Sequence, residues 1–426
     1  MDVPAEAKPP RTALLIVWLV VFIDLLGFGI VLPVMPRQVE HYTEGLSPEA
    51  RGALIGILFS SFSLMQFVFS PMWGRVSDRI GRRPVLLISL LGSVVFYALY
   101  GYSVTLGVEQ ANLAIGLMLA SRIGAGIAGA SVGTAAAVIA DCTPREKRAK
   151  NMALIGIAFG AGFTLGPLIA FFGLQLFEEA PWGVGALASG LSAVALIIAI
   201  AIFKETRNPE NKAGKEIFSV GRTLEVLRMP NVGRLVLIYF LAIFAFANFE
   251  ATLALLTKAA FNMTDDQNFL VFATVGGVLM FAGGAYRGLV KRRGELKLLR
   301  QGITLMVVGL AGLGVVAYLA GQSDPPPLKV GFYLVMALGV IGFAFVNPSV
   351  SAAVSKNADP ARQGEVMGVN QSFASLGRIL GPFLGSVLFQ VHESHTLPFA
   401  VAVALLVLVF GLLPKATPGE RGALAA

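Results

Sequence analysis

Four ionisable side chains stand inside stretches that are otherwise apolar: Asp24 in WLVVFIDLLGFGI, Arg122 in LMLASRIGAGI, Glu250 in FANFEATLALL and Arg378 in SFASLGRILGPF. A charge at the centre of a hydrocarbon layer costs about 2.5–3.5 kcal/mol on insertion scales, so each of these residues points to chemistry. At the helical rise Asp24 lies about 17 Å into its run and Arg122 about 15 Å, which brings both near mid-depth. Arg122 stays protonated and needs an anion or carbonyls beside it, and Asp24 is the nearest acid by depth. A proton reaching Asp24 would release Arg122 to another partner, which is a two-state element; a static ion pair is the alternative. Glu250 and Arg378, about 24 Å and 18 Å deep, leave a pair open without compelling it. An acid in apolar surroundings can hold a proton, so Glu250 is the first choice as proton carrier of the second half.

The elements that hold these residues follow from composition. With 56% hydrophobic and 14% charged residues in 426, the chain reads as a polytopic membrane protein. Runs of about 20 apolar residues fit membrane-crossing helices. They fall near residues 13–35, 52–73, 84–104, 112–139, 152–174, 182–203, 234–257, 267–286, 299–320, 329–353, 366–390 and 396–414, which makes twelve expected spans. They are continuous rather than alternating, so they read as helices and not as barrel strands. Lys and Arg crowd the segments after spans two, four, six, eight and ten, whereas the opposite loops hold only Arg37, Arg51, Lys258 and Lys329. That bias predicts both termini in the cytoplasm and explains the net charge of +8 as a topology signal rather than nucleic-acid binding. The acidic, short N-terminus predicts no cleavable signal peptide. The one cysteine, Cys142, excludes a disulfide framework or a multi-cysteine metal site.

The halves repeat. Displaced by about half its length, the sequence brings Gly81 onto Gly294, Pro144 onto Pro360 and Gly166-Pro167 onto Gly381-Pro382. Six spans per copy make the repeats parallel about an axis along the membrane normal. The expected division is a six-helix bundle over residues 1–203, a polar cytoplasmic linker over 204–233 (KETRNPENKAGKE) and a second bundle over 234–426. Between spans two and three lies GRVSDRIGRRPVLL, residues 74–87, where Gly74 and Gly81 suit close approach and tight turning and Arg75, Arg79, Arg82 and Arg83 accompany Asp78.

These segments resemble the major facilitator superfamily, and within it the twelve-span drug-proton antiporters that include the tetracycline exporters. GRVSDRIGRRP is similar to the loop signature after span two, and RGLVKRRGELKLL (287–299) to its second-half copy. DLLGFGIVLPVMP (24–36), LMLASRIGAGIAGASVGTAAAVIAD (117–141) and GFTLGPLIAFFG (162–173) resemble the signatures of spans one, four and five. The resemblance implies that Asp78 locks the cytoplasmic side by accepting hydrogen bonds from the start of span eleven or from loop arginines, with Gly74, Arg79, Gly81, Arg82 and Arg83 forming that gate. It also implies that Gly162, Gly166, Pro167, Gly381 and Pro382 shape a seal in spans five and eleven that moves during exchange. The chain departs from the tetracycline exporters at Phe96, where they place an aspartate in span three, so the resemblance is to the broader drug-exporter group.

In that architecture spans one, four, seven and ten line the cavity, which would bring Phe28, Phe246, Asn248, Phe249 and Asn347 toward the substrate. An aromatic pocket with few polar groups suits flat lipophilic molecules, and a carboxylate favours cations. Spans five and eleven carry Gly162, Gly166 and Gly377, Gly381, Gly385 at four-residue spacing, which lets helices approach closely. No phosphate-cradling loop is present, and His392 and His395 in VHESH are a weak metal pair. The expectation is therefore a non-enzymatic, proton-coupled exporter of lipophilic or cationic small molecules that works by alternating access. It would act as a monomer in the cell (inner or plasma) membrane, with protons as coupling ion and no cofactor or metal. A metabolite or lipid uniporter or symporter of the same fold is the alternative, and a non-transporting receptor or scaffold the rival of another class.

Overall fold

The computed structural model describes residues 11–143, 145–178, 180–207, 220–229, 231–322, 328–358 and 362–413. Among them every regular element is a helix. The α-helices are α1 (Arg11–Val31), α2 (Met35–Tyr42), α3 (Pro48–Ile80), α4 (Arg82–Ser103), α5 (Ala111–Ala128), α6 (Val132–Cys142), α7 (Arg145–Leu176), α8 (Trp182–Ile202), α9 (Val220–Arg228), α10 (Val232–Phe261), α11 (Asp265–Arg293), α12 (Glu295–Ala320), α13 (Lys329–Asn357), α14 (Gln363–Val391) and α15 (Leu397–Leu412). Ten helical stretches are long and apolar enough to cross a membrane, and Gly160–Leu176 and Leu397–Leu412 are shorter apolar helices. This is an all-α polytopic membrane fold.

Two spans differ from the apolar runs that predict them. The first helix stops at Val31, and a turn at residues 32–34 leads into α2. Pro33 lies in that turn, and Pro36 lies in the first turn of α2, where its missing N–H costs nothing. The fourth span is interrupted by a 3-10 turn at Gly129–Ser131 between α5 and α6. Helices α3 and α11 run further than their apolar cores, so Arg75, Asp78 and Arg79 belong to the last turns of α3 rather than to a loop.

By their contacts the residues group into two units, one of residues 1–42 and 61–217, the other of 43–60 and 218–426. In the first unit α1 packs on α7 and α8, and α4 on α5 and α8. Its core is a buried cluster that includes Ile16, Val20, Leu90, Ala135, Val138 and Ala195. In the second unit α10 packs on α14 and α15, and α12 on α13 and α15. The first turns of α3 belong to this second unit, and Ser60 Oγ donates to the Ile379 carbonyl of α14 over 2.5 Å.

The repeat is visible at the helix junctions. Gly81 (φ 108°) and Gly294 (φ 76°) are each the single residue between two long helices, in a conformation that only glycine adopts freely. Pro144 and Pro360, which the repeat also aligns, lie outside the described residues, as do residues 208–219 and 230 of the expected linker.

Candidate functional site

In the first unit α1 sets Asp24 against α4 and the 3-10 turn. Asp24 is 3% exposed, and its Oδ1 and Oδ2 accept hydrogen bonds from Ser93 Oγ (3.0 Å) and Ser131 Oγ (3.3 Å). Ser89, Ser93 and Tyr97 recur at four-residue spacing on one face of α4. Ser89 Oγ donates to the Ala128 carbonyl, and the Tyr97 hydroxyl donates to the Asp24 carbonyl over 3.3 Å. Glycines of α1 and α5 make room for α4: a Cβ on Gly124 of α5 would collide with the Phe96 ring, and one on Gly27 of α1 with Tyr97.

Arg122 does not pair with Asp24, which corrects the expectation drawn from depth. Asp24 is held by two hydroxyls, and Tyr97 lies within electrostatic reach of both charges. The guanidinium instead lies over two rings, 4.5 Å from the Phe62 centroid and 5.4 Å from that of Phe28. Depth along a helix sets height but not direction, and these two side chains face different neighbours.

In the second unit Glu250 and Arg378 are half-buried and within electrostatic reach of one another, without an ion pair. Arg378 Nη2 donates to Ser375 Oγ one turn earlier on α14 (3.2 Å). Asn347 is half-buried, and its Oδ1 accepts from the Tyr239 hydroxyl (2.6 Å). Asn248 is fully buried, and its Nδ2 donates to the Pro398 carbonyl (3.2 Å). Phe246 (7% exposed) and Phe249 (3%) are likewise packed, with Phe246 stacked on Phe343 at 3.7 Å and 6°. Phe28 keeps partial exposure. Residues that the sequence reading passed over include Ser93, Ser131, Tyr97, Tyr239 and Phe62; only the periodic Ser89-Ser93-Tyr97 face of α4 carried a legible signal.

The expected gate residues form a network at the α3–α4 junction. Arg82 Nη1 binds Asp78 (2.5 Å) and Ser77 Oγ (2.6 Å), while its Nε binds Asp141 at the end of α6 (3.0 Å). Asp78 thus takes the arginine arm of its expected bonding. Arg83 reaches the carbonyls of Phe203 (2.6 Å) and Ile200 (3.0 Å), and the Arg79 carbonyl accepts from Arg207. Glu205 caps the start of α4, accepting from the backbone N–H groups of Arg82 (2.9 Å) and Arg83 (3.1 Å). Burial pushes the Glu205 carboxyl upward, but the backbone N–H groups of Arg207, Arg82, Arg83 and Thr206 outweigh it and hold it below the ordinary glutamate value. A Cβ on Gly81 would meet that carboxylate. Among the described residues nothing lies within 4 Å of a Cβ on Gly74, so its expected role in close approach is corrected. The second unit repeats the bridge with charges exchanged, since Lys356 at the end of α13 binds Glu295 at the start of α12 (2.6 Å).

The glycines of the expected seal are packing contacts. Gly162 and Gly166 on α7 lie against Leu25, Leu26 and Gly29 of α1, with Pro167 beside Gly29. Gly377, Gly381 and Gly385 on α14 lie against Phe240, Phe244 and Asn248 of α10, and Pro382 follows inside the same helix.

Comparison with known proteins places this arrangement. A family model described as Major Facilitator Superfamily matches residues 17–382 and, in a second alignment, 237–425. The chain is 31% identical to the class E tetracycline resistance protein of Escherichia coli, across 87% of this chain and 86% of that one. Among solved structures it is similar to the human organic anion transporter MFSD10 (TETRAN), with 27% identity, a TM-score of 0.67, and coverage of 96% of this chain and 100% of that chain. It also shares its fold with a D-xylose-proton symporter at 18% identity, with a TM-score of 0.79 and coverage of 97% and 99%.

Proposed function

The chain belongs to the Major Facilitator Superfamily, and we propose that it is a secondary active transporter that exports lipophilic small molecules in exchange for protons by alternating access. The reading is supported by two acids, Asp24 in α1 and Glu250 in α10, each within a membrane-spanning helix and each without an ion-pair partner among the described residues. A buried acid free of a permanent counter-charge can gain and lose a proton without dismantling a salt bridge. The relatives agree in kind, one being a tetracycline resistance protein and another an organic anion transporter.

In this mechanism Glu250 is the proton carrier of the second half. Arg378, within electrostatic reach, stabilises its ionised form once the proton leaves. Asp24 serves the first half, with Ser93 and Ser131 able to donate to its carboxylate. Substrate and proton compete, and their competition couples the two gradients. The Arg82 bridge from α4 to Asp78 and Asp141, with Glu205 capping the same helix, is the latch that loosens and re-forms on the side we assign to the cytoplasm. The transporter functions as a monomer, with both termini cytoplasmic.

Flux of a lipophilic drug panel in proteoliposomes, with and without an imposed pH gradient, tests the proposal. Proton-driven accumulation that collapses with an uncoupler is the expected result. Counterflow that is indifferent to the gradient would reduce the protein to a facilitator.

A further inference from the structure

We propose that Arg122 anchors the acidic group of the transported molecule, and that the substrates include flat aromatic monocarboxylates. The inference rests on the transport reading above and assigns the charge of its cargo. Arg122 is 1% exposed, and its Nε and Nη1 have no hydrogen-bond acceptor. A guanidinium presents its donors as a rigid fork that matches a carboxylate with two parallel bonds. The rings of Phe62 and Phe28 attract the cation through its face, yet they leave the donors on its edge unmet.

A second unmet donor stands nearby in the same unit. Gln38 on α2 is 9% exposed; its Oε1 accepts the Tyr100 hydroxyl, while its Nε2 has no acceptor. Tyr100 is itself within electrostatic reach of Arg122. Buried polar groups in folded proteins are almost always hydrogen-bonded, so a set of orphaned donors marks a place where an acceptor arrives from outside. Asp24 is not that acceptor, because both of its oxygens are taken by serine hydroxyls.

The surroundings select the rest of the molecule. Phe28 is partly exposed and meets Phe62 at 5.0 Å and Phe163 at 5.6 Å between centroids, an aromatic wall against which a flat ring can lie. An amphipathic acid therefore fits, its carboxylate on Arg122 and its ring on Phe28. In the second unit the orphaned buried atoms are Arg51 Nε, on a guanidinium that already donates through Nη2 to the Thr43 carbonyl, and the oxygens Asn248 Oδ1, Asn370 Oδ1 and Ser386 Oγ, so the two unmet nitrogens on one guanidinium belong to the first unit.

Binding to the whole protein in lipid nanodiscs tests the assignment with three probes on one ring: naphthalene-2-carboxylate, naphthalene-2-carboxamide and naphthalen-2-ylmethylammonium. The wild-type protein is expected to bind the carboxylate at least about tenfold more tightly than the other two, a difference typical of one charge-assisted contact. Arg122→Gln is expected to bring the carboxylate to the level of the amide with little change in the amide itself, and Arg122→Lys to retain part of the preference. The wild-type series decides the matter even if a variant fails to fold. Equal affinities, tightest binding of the ammonium, no binding of any probe, or a preference that survives Arg122→Gln would overturn the proposal. An ammonium moved by a pH gradient would remove this proposal and leave proton-coupled export standing. Carboxylate binding without gradient-driven flux would keep Arg122 as the anchor and remove the proton coupling.

Discussion

At the residue scale the first unit holds two opposite charges in apolar surroundings by different means. Asp24 is supplied with hydroxyl donors, whereas Arg122 is covered by aromatic faces. Hydroxyls can serve an acid in either protonation state, because a hydroxyl both donates and accepts. The same scale governs Glu205, whose acid is held below the ordinary glutamate value by backbone N–H groups. A group with a lowered folded pKa stabilises the fold fully above its unfolded value, about 4.3, and the gain is lost as pH falls through the lower folded value. Glu205→Gln is therefore expected to lower the melting temperature at pH 7, with the gap from wild type closing as the pH falls below the ordinary glutamate value of about 4.3. A gap independent of pH would contradict the charge-based account of the cap. Gly81→Ala combines a positive φ with a collision at that carboxylate and is expected to cost about 1–3 kcal/mol in denaturant or thermal unfolding.

At the element scale, helix packing separates glycines that matter from glycines that do not. Gly166 meets the backbone of α1 at Leu26 and Gly29, and Gly381 meets the Phe244 carbonyl of α10. Gly166→Leu and Gly381→Leu are each expected to destabilise by about 1–3 kcal/mol through overpacking. Gly74 has nothing within 4 Å of its Cβ position among the described residues, so Gly74→Ala is expected to stay within about 0.5 kcal/mol of wild type or to gain from helix propensity. Thermal unfolding in one detergent compares all three. The helices themselves were largely legible, because a run of about 20 apolar residues has few other fates. The Gly81 and Gly294 junctions were legible for the same kind of reason: a glycine between two helices marks a turn that a side chain would strain. What the sequence did not reveal was azimuth. Asn248 and Arg122 meet neighbours other than the expected ones, since a helix wheel drawn without its neighbours does not say whether Pro398 or a cavity lies opposite.

At the scale of the whole molecule, the exchanged bridges Arg82–Asp141 and Glu295–Lys356 show a duplicated scaffold in which the position of an ion pair is kept while its polarity is not. The charge bias across the spans predicts which face they occupy. In a Cys142→Ser background, Arg79→Cys and Arg292→Cys are expected to react with an impermeant maleimide only from the cytoplasmic side, and Glu44→Cys and Gln322→Cys only from the other. Labelling of all four from one face would refute the topology. The central claim is that substrate binding and protonation of Glu250 exclude one another, and the most direct measurement is the proton count on substrate binding. Addition of a transported compound to the purified protein in weak buffer is predicted to release protons from wild type and none, or markedly fewer, from Glu250→Gln that still binds it. No release from wild type, or equal release from both, would contradict the account.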